Sequence, residues 1–366
     1  MSPRPPGTLN RLLSPFVNPA VFDFWAQQIR PDWAWSRPLA TVVARRVEAR
    51  DTVSLTLQLN RHCPLPQAGQ HIHVSVEVDG RRMTRSYSPT RIDARRRTLD
   101  ITVHQVPQGL VSGQLVQHTQ VGDVLELGDA FGHLTWPTQV GGKWLLLAAG
   151  SGITPLISLI RQARQSASPA DITLVYWAKT RADLCFDTEL RTLAKQHPTF
   201  RYHPVLTQEA ACLEDEATGR IDSVLLNSLV TDLSARQVYA CGPSGFVETA
   251  RKLSAGVAGH FEAEAFTPPQ WAHPGAEDTH SEPVRITLQR SGRTVTVPSG
   301  QALLPALESQ GLNVPHGCRM GICNTCSCTK LTGTTQDLQS GERLDEPHSA
   351  VRLCVSSART DLTLDL

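Results

Sequence analysis

The sequence predicts three folded modules in series: a small antiparallel β-barrel, an α/β domain on a parallel sheet, and a small α+β domain. Three observations predict this order. Short alternating strands separated by glycine-containing turns fill residues 37–137. Over residues 138–266 the pattern changes to strand alternating with helix, the mark of a parallel sheet. Residues 283–366 then carry a cysteine-rich loop, set off by a Pro- and Gly-containing stretch at 267–282 that reads as a linker.

Composition bounds the rest. The chain has 366 residues, enough for two or three domains, and a formal net charge of +1, which gives no footing for nucleic acid as a partner. Nine cysteines, an odd number, with no apolar run behind Met1–Gly7 to suggest a leader, argue against a disulfide scaffold. The longest purely apolar run, Trp144 to Ala149, is far shorter than a membrane span. The expectation is a cytoplasmic protein, with peripheral attachment to the inner membrane face open because of its N-terminus.

Residues 1–36 are rich in proline and aromatics: Phe16, Val21, Phe22, Phe24, Trp25, Ile29, Trp33 and Trp35 are too apolar for an ordinary disordered tail. Asn18-Pro19 reads as a helix start, so a short helix is expected over 19–30, either packed on the next domain or docking a partner or membrane. In the barrel region, residues 41–44, 53–59, 71–78, 99–106 and 121–127 read as strands, with Asp79-Gly80 as a hairpin turn. Two polar stations interrupt them. Arg85-Ser86-Tyr87-Ser88-Pro89 places a cation, two hydroxyls and an aromatic ring together: the guanidinium can fork onto phosphate and the ring can lie against a flat ligand. Gly109 to Leu115 reads as a loop leading into a helix whose N-terminus can face a pyrophosphate, or as a plain turn. His71 and His73 alternate on one strand and belong to the barrel surface or a ligand's surroundings rather than to a metal site.

In the α/β region, residues 143–149 form a buried-looking strand running into Gly150-Ser151-Gly152-Ile153-Thr154-Pro155 and an apolar helix to about 164. This is close to the glycine fingerprint of dinucleotide sites, with its third glycine missing. Strands follow at 171–177, 200–206 and 235–240, with a helix at 188–195, and the last strand ends in Cys241-Gly242-Pro243. Two glycine loops at strand C-termini mark a ligand crevice. After Trp177 stand Ala178-Lys179-Thr180-Arg181, with no acid to grip a ribose 2′-hydroxyl; Lys179 or Arg181 can instead meet a 2′-phosphate, which favours NADPH over NADH.

Beyond the linker, residues 284–289 and 294–297 read as a hairpin and 302–310 as a helix ended by Gly311. Cys318, Cys323 and Cys326 then sit at C-x4-C-x2-C, and Cys354 follows in a strand-like run. That spacing is the plant-type [2Fe-2S] ligand pattern, in which Gly317 and Gly321 let the backbone fold round a cluster. Zinc sites use paired C-x2–4-C units, and the second pair is missing. Cys328 lies two residues past Cys326, on the same side of a strand, and reads as a small buried residue rather than a fifth ligand.

Taken together, residues 37–266 resemble the ferredoxin–NADP reductase family and 283–366 a plant-type ferredoxin of β-grasp fold. The motifs that carry the resemblance are R-x-Y-S at Arg85, Tyr87 and Ser88, G-x-x-S at Gly109 and Ser112, the Gly150–Pro155 loop, C-G-P at Cys241-Gly242-Pro243, and E-x-F at Glu264-Ala265-Phe266. The resemblance implies FAD held by Arg85, Ser86, Tyr87, Ser88, Gly109, Ser112, Glu264 and Phe266, with Tyr87 and Ser88 at the flavin ring. It implies NADPH or NADH across Gly150, Gly152, Thr154, Lys179, Arg181, Cys241, Gly242 and Pro243, with Cys241 near the nicotinamide. Hydride would pass to the flavin, and single electrons to a [2Fe-2S] cluster on Cys318, Cys323, Cys326 and Cys354, then to an external acceptor. Fused reductases of this order serve ring-hydroxylating, steroid and other oxygenases, and also membrane fatty-acid (acyl-CoA) desaturases; the aromatic lead-in and the run from Cys323 to Cys328 resemble the desaturase reductases and favour the desaturase. A non-enzymatic electron-transfer or redox-sensing module is the alternative of a different class.

Overall fold

The computed structural model describes residues 18–137, 140–166, 168–266 and 282–366. The chain divides after Phe266 into two compact units. Residues 267–281 of the expected linker at 267–282 and residues 1–17 of the N-terminal extension lie outside the described residues.

The first unit opens with helix α1 (Pro19–Ile29), capped by the Asn18 side chain, which accepts from the Ala20 N–H at 2.9 Å. Buried Asp23 on α1 accepts the Trp35 N–H at 2.6 Å, and Phe22 meets Trp35 edge-on, which folds the following segment back over the helix. The barrel strands are β1 (Leu39–Ala49), β2 (Thr52–Leu59), β3 (His71–Val78), β4 (Arg81–Tyr87), β5 (Pro89–Asp93), β6 (Thr98–His104) and β7 (Val124–Phe131). They form one antiparallel sheet in the order β4-β3-β7-β1-β2-β6-β5. Its two edge strands, β4 and β5, are consecutive in the chain and separated only by Ser88, so the sheet must curl back on itself as the sequence pattern predicts. Arg85 to Tyr87 of the R-x-Y-S motif are thus strand rather than loop: pairing with β3, with Tyr87 opposite Ile72 and Arg85 opposite Val74, overrides their polar composition. Between β6 and β7, a short helix α2 (Leu110–Gly113) continues as one π-helical turn over Gln114–His118, burying Val111 and Leu115 in the barrel core.

The α/β part contains β8 (Lys143–Ala149), α3 (Ile153–Gln165), β9 (Asp171–Ala178), α4 (Asp187–Gln196), β10 (Phe200–Leu206), β11 (Ala217–Thr218), α5 (Ser223–Leu229), β12 (Gln237–Gly242), α6 (Ser244–Ser254) and β13 (His260–Ala265). Strand order is β11-β10-β9-β8-β12-β13, and all five pairings are parallel. The apolar run of β8 is explained by burial on both faces: Trp144, Leu146 and Ala148 enter one core, Leu145, Leu147 and Ala149 the other. The order reverses direction beside β8, between β9 and β12, which places the crevice at the loops following β8 and β12. The expected boundary at 137/138 is not a break in the unit. Buried Arg161 on α3 donates to the Thr90 carbonyl of β5 at 2.7 Å and forks onto Glu189 of α4 at 2.8 and 2.5 Å, tying barrel to α/β part.

The second unit holds β14 (Val284–Leu288), β15 (Arg293–Val297), α7 (Leu303–Ser309), β16 (Ser327–Thr332), β17 (Thr335–Asp337), β18 (Arg343–Leu344), β19 (Ser349–Arg352), β20 (Ser356–Ala358) and β21 (Leu362–Leu364). A mixed five-stranded sheet, β15-β14-β21-β16-β19, and a small sheet, β18-β17-β20, share one apolar core with α7.

Candidate redox sites

The cysteine loop leaves α7 and ends at β16. Its sulfurs form two close pairs, Cys318 with Cys323 and Cys326 with Cys354. Among the described residues, no group of three or more His, Cys, Asp or Glu is placed to hold a single metal ion. Two pairs of thiolates suit two irons bridged by sulfide and do not suit one zinc. The loop also points donors at its sulfurs: Cys318 N–H to Cys323 Sγ at 3.2 Å, Met320 and Cys323 N–H to Cys318 Sγ at 3.4 Å, Gly321 N–H to Cys354 Sγ at 3.2 Å, and Thr325 Oγ1 to Cys323 Sγ at 3.1 Å. Such bonds stabilise thiolate charge and set a cluster's potential. Gly321 has φ +76, and a Cβ there would lie 2.9 Å from Val355, so only glycine fits. Arg319 and Asn324 also take positive φ, of 60° and 55°. Arg319 is held so by a fork to Glu308 at 2.8 and 2.6 Å, a support invisible in the spacing of the cysteines. Arg352 braces the loop from the other side, donating to the Gly321 carbonyl at 2.7 Å and to Asp337 at 2.9 Å. Cys328 lies in β16 beside the core, and burial, then the charge of Cys326, pushes its thiol up to about 12.

In the first unit, Ser88, His71 and Glu264 converge. His71 Nδ1 and the Ser88 hydroxyl are 2.8 Å apart, and His71 Nε2 lies 2.5 Å from Glu264 Oε2; all three residues are buried. Phe131 and Phe266 enclose the imidazole, with ring centroids at 5.5 and 5.8 Å. Tyr87 packs against the barrel core, and its phenol is pushed up mainly by burial. The Arg85 guanidinium is exposed beside it, with Nη1 donating to the Thr84 carbonyl at 2.8 Å. An exposed cation next to a half-buried ring and a buried hydroxyl suits a ligand with a phosphate at one end and a flat ring at the other, as FAD has.

Three residues expected at the flavin have partners or neighbours within the chain. Ser86 turns to the opposite side of the strand from Arg85 and Tyr87, 3.2 Å from His73 Nδ1, because neighbours in a strand alternate. The Ser112 hydroxyl shapes its own loop, accepting from Val106 N–H at 3.1 Å and donating to the Gly109 carbonyl at 3.2 Å. Gly109 is required because a Cβ would come within 2.5 Å of that hydroxyl.

A cavity of about 360 Å³ opens at the sheet's switch point, lined by Gly150, Ser151, Thr154, Lys179, Thr180, Arg50, Gln208 and others. Gly152 is buried, and a Cβ there would lie 2.0 Å from the Cys241 carbonyl, so the two glycine loops pack backbone to backbone. Gly242 is equally confined, by Ala149 and Phe246, while Pro243 is exposed at the start of α6. The Thr154 hydroxyl donates to the Ser151 carbonyl at 3.0 Å, fixing the first loop. One expectation changes here. Arg181 does not face the cavity as a spare cation: Glu209 and Glu216 both grip its guanidinium. Cys241, expected near the nicotinamide, is fully buried, and desolvation, then the charge of Glu264, holds its thiol well above the ordinary range, so it is a neutral group at the end of β12. Sequence reasoning missed Arg50 and Gln208, which the cavity borrows from a barrel turn and the end of β10.

Comparison with known proteins accords with this geometry. Residues 39–136 match the FAD-binding domain of oxidoreductases, 146–252 the oxidoreductase NAD-binding domain, and 286–359 the 2Fe-2S iron–sulfur cluster binding domain. A Mycobacterium tuberculosis NADPH oxidoreductase is 32% identical over 99% of this chain and 94% of its own length. The chain belongs to the ferredoxin–NADP reductase family, with a fused [2Fe-2S] domain. The reductase is also 27% identical to a glycine betaine monooxygenase reductase subunit of Chromohalobacter salexigens, over 81% of this chain and 86% of that one. Phthalate dioxygenase reductase shares the fold, with a TM-score of 0.56 at 24% identity over 90% of this chain and 97% of that one. The reductase is therefore an NAD(P)H-dependent flavin and iron–sulfur oxidoreductase that delivers electrons through [2Fe-2S] to a redox partner. Bound FAD supplies the conversion of a two-electron hydride donor into a one-electron source. No helix among the described residues is long and apolar enough to cross a membrane.

Proposed function

We propose that this reductase draws electrons from NADPH and supplies them, one at a time, to an oxygen-activating monooxygenase. The single observation that carries the reading is the output end of the chain. A [2Fe-2S] domain is built into the same polypeptide as the FAD- and NAD-binding domains, and several relatives bear the names of monooxygenase reductase components. This reverses the preference for a desaturase drawn from the aromatic lead-in. Within the chain, Arg85 is offered to the FAD phosphates and Tyr87 to the flavin ring. The Gly150–Thr154 loop orients the nicotinamide nucleotide so that its reactive carbon can reach the flavin. Cys318, Cys323, Cys326 and Cys354 hold the cluster.

For the coenzyme, Lys179 supports NADPH: it is exposed, it lines the cavity beside Arg50, and Arg181 is engaged elsewhere. Lys179→Ala is expected to raise the KM for NADPH about tenfold and leave that for NADH within about twofold, the loss of one partly exposed charge-assisted contact. Equal changes for both coenzymes would refute that role. The acceptor is tested by stopped-flow reoxidation of the reduced protein with a soluble monooxygenase component and with a desaturase in vesicles. Faster transfer to the soluble component is expected.

One observation favours the desaturase as a second reading. Phe24, Trp25 and Ile29 of α1 are each more than half exposed, although Asp23 and Ala26 on the same helix are buried. Aromatic side chains at such a face suit a membrane interface. Sedimentation with anionic vesicles that disappears in the Phe24→Ser/Trp25→Ser variant, together with faster transfer to the vesicle-borne desaturase, would decide for it.

A further inference from the structure

The cysteine loop is gripped from outside as well as from within, and the outer grip bears on the inner one. Gly321 stands at its centre. The Gly321 N–H donates to Cys354 Sγ at 3.2 Å, and the Gly321 carbonyl accepts from Arg352 Nη1 at 2.7 Å. The carbonyl one residue earlier, on Met320, accepts from Gln339 Nε2 at 3.1 Å. Met320 C=O and Gly321 N–H belong to one peptide group. That group is planar and trans, so its C=O and N–H point in opposite directions. A donor that holds the carbonyl on the outside therefore aims the N–H at the sulfur on the inside.

We propose that Arg352, Gln339 and Asp337 form a clamp that sets the cluster's reduction potential by fixing the peptide groups on either side of Gly321. The proposal rests on the reading that Cys318, Cys323, Cys326 and Cys354 hold that cluster. Reduction brings one electron from the flavin, so the reduced form carries one more negative charge on iron and sulfur. An N–H aimed at a ligand sulfur stabilises that charge. It does so more strongly when the carbonyl of its own peptide group is hydrogen-bonded, because the group is then polarised. With its peptide groups turned round, the loop would present carbonyl oxygens to the thiolates instead. The clamp therefore raises the potential.

Gly321 needs such a hold. Glycine enters positive and negative φ with similar ease, so its φ of +76° is not fixed by the residue itself. Crowding by Val355 decides what can stand at 321, not which way its peptide groups face. The holders are in turn held by one carboxylate. Asp337 Oδ2 accepts from Arg352 Nη2 at 2.9 Å, while Asp337 Oδ1 accepts the Gln339 N–H at 2.8 Å and the Ser340 N–H at 3.0 Å, closing the turn that carries Gln339. The Leu338 N–H donates to the Val355 carbonyl at 2.7 Å, which ties that turn to the residue after Cys354. Cysteine spacing announces none of these three side chains; the turn after β17 and the end of β19 bring them to the loop.

The test must separate peptide orientation from the plain charge of Arg352. Arg352→Lys keeps the charge, but an ammonium cannot reproduce the guanidinium fork to the Gly321 carbonyl and Asp337. Gln339→Met is neutral for neutral, similar in length and without a donor. Charge alone predicts wild-type potentials in both. The full chain, loaded with FAD and cluster, is titrated with dithionite and mediators while EPR follows the reduced cluster. Loss of one such hydrogen bond should shift the reduction equilibrium about three- to tenfold towards the oxidised form; tenfold is about 59 mV for one electron. The flavin potential should stay at its wild-type value. Resonance Raman gives a second readout: exchange into deuterium oxide shifts the iron–thiolate bands where N–H groups bond to sulfur, and that shift should shrink in the variants. Gln339 is exposed, so Gln339→Met carries the test if Arg352→Lys loses its cluster. A lower potential with a smaller deuterium shift in either variant supports the clamp. Wild-type potentials in every variant that keeps its cluster, or a lower potential with an undiminished deuterium shift, would overturn it. Failure of the cluster reading looks different: the reduced wild type itself would give no [2Fe-2S] EPR signal.

Discussion

The cluster loop and the flavin–nicotinamide cleft are built in opposite ways. The loop draws three of its four sulfurs from a stretch running only from Cys318 to Cys326, and its shape is local: positive φ at Arg319, Gly321 and Asn324 turns N–H groups towards sulfur. The cleft is assembled from a distance. His71 and Glu264 are 193 positions apart and meet because the start of β3 lies beside the end of β13. A local site fails when one of its own residues changes. An assembled site fails when the elements that carry it shift, even if every functional side chain is intact.

The sharpest way to break this contrast is at a sulfur. Cys326→Ser removes one of four thiolates and should abolish the low-temperature EPR signal of the reduced cluster. Anaerobic flavin bleaching by NADPH should persist, because the two units are separately folded. Cys328→Ser, two residues on, should retain the full signal, since Cys328 packs in the core of its unit and stands outside both sulfur pairs. A lost signal in Cys328→Ser would move the ligand assignment.

The next largest effect is expected in the assembled site, at a residue that need touch no cofactor. Arg161 is buried between β5 and α4 and ties the barrel to the α/β part. Arg161→Ala leaves Glu189 and the Thr90 carbonyl without their partner. Breaking a buried pair costs about 3 to 5 kcal/mol, and the partial exposure of Glu189 puts this one at the lower end. The melting temperature of the first unit should fall by about 6 to 12 °C, given roughly 2–4 °C per kcal/mol at this size. The cluster EPR signal should be unaffected. A cluster signal that falls along with the flavin transition would mean the two sites are not independent.

These differences explain what could be read from the sequence. Cysteine spacing specifies the loop because the ligands are near neighbours, and the alternation of residues 53–59 and 71–78 specifies strands because burial has period two. The unbroken apolar run of β8 likewise announces a strand covered on both sides. Arg85 to Tyr87 looks like a polar loop because its strand character comes from pairing with β3, which composition does not carry. Arg181 looks like a free cation because Glu209 and Glu216 approach it from later in the chain. His71 has no motif at all; only the end of β13 gives it a role.

A smaller effect tests the close approach of the two glycine loops. Gly152→Ala puts a Cβ where the Cys241 carbonyl already lies, 2.0 Å away, so β8 and β12 must part. Overpacking of this kind costs about 1 to 3 kcal/mol. Here it should also raise the KM for NADPH several-fold, while flavin content is kept. Unchanged affinity would show that the nucleotide does not depend on the spacing of these loops.

The smallest effect separates backbone conformation from side-chain support within the cluster loop itself. Arg319 pays the left-handed penalty of roughly 1 to 2 kcal/mol that L-residues carry. Its fork to Glu308 offsets that penalty. Arg319→Ala keeps the penalty and loses the fork, so the cluster should be released to a chelator a few-fold faster than in wild type. Arg319→Gly loses both together, because glycine enters the left-handed region without cost. Its release rate should stay close to wild type. If alanine and glycine behave alike, the fork rather than the backbone angle holds the loop. The local site would then rest on a partner reached through α7, and its contrast with the assembled cleft would be one of degree.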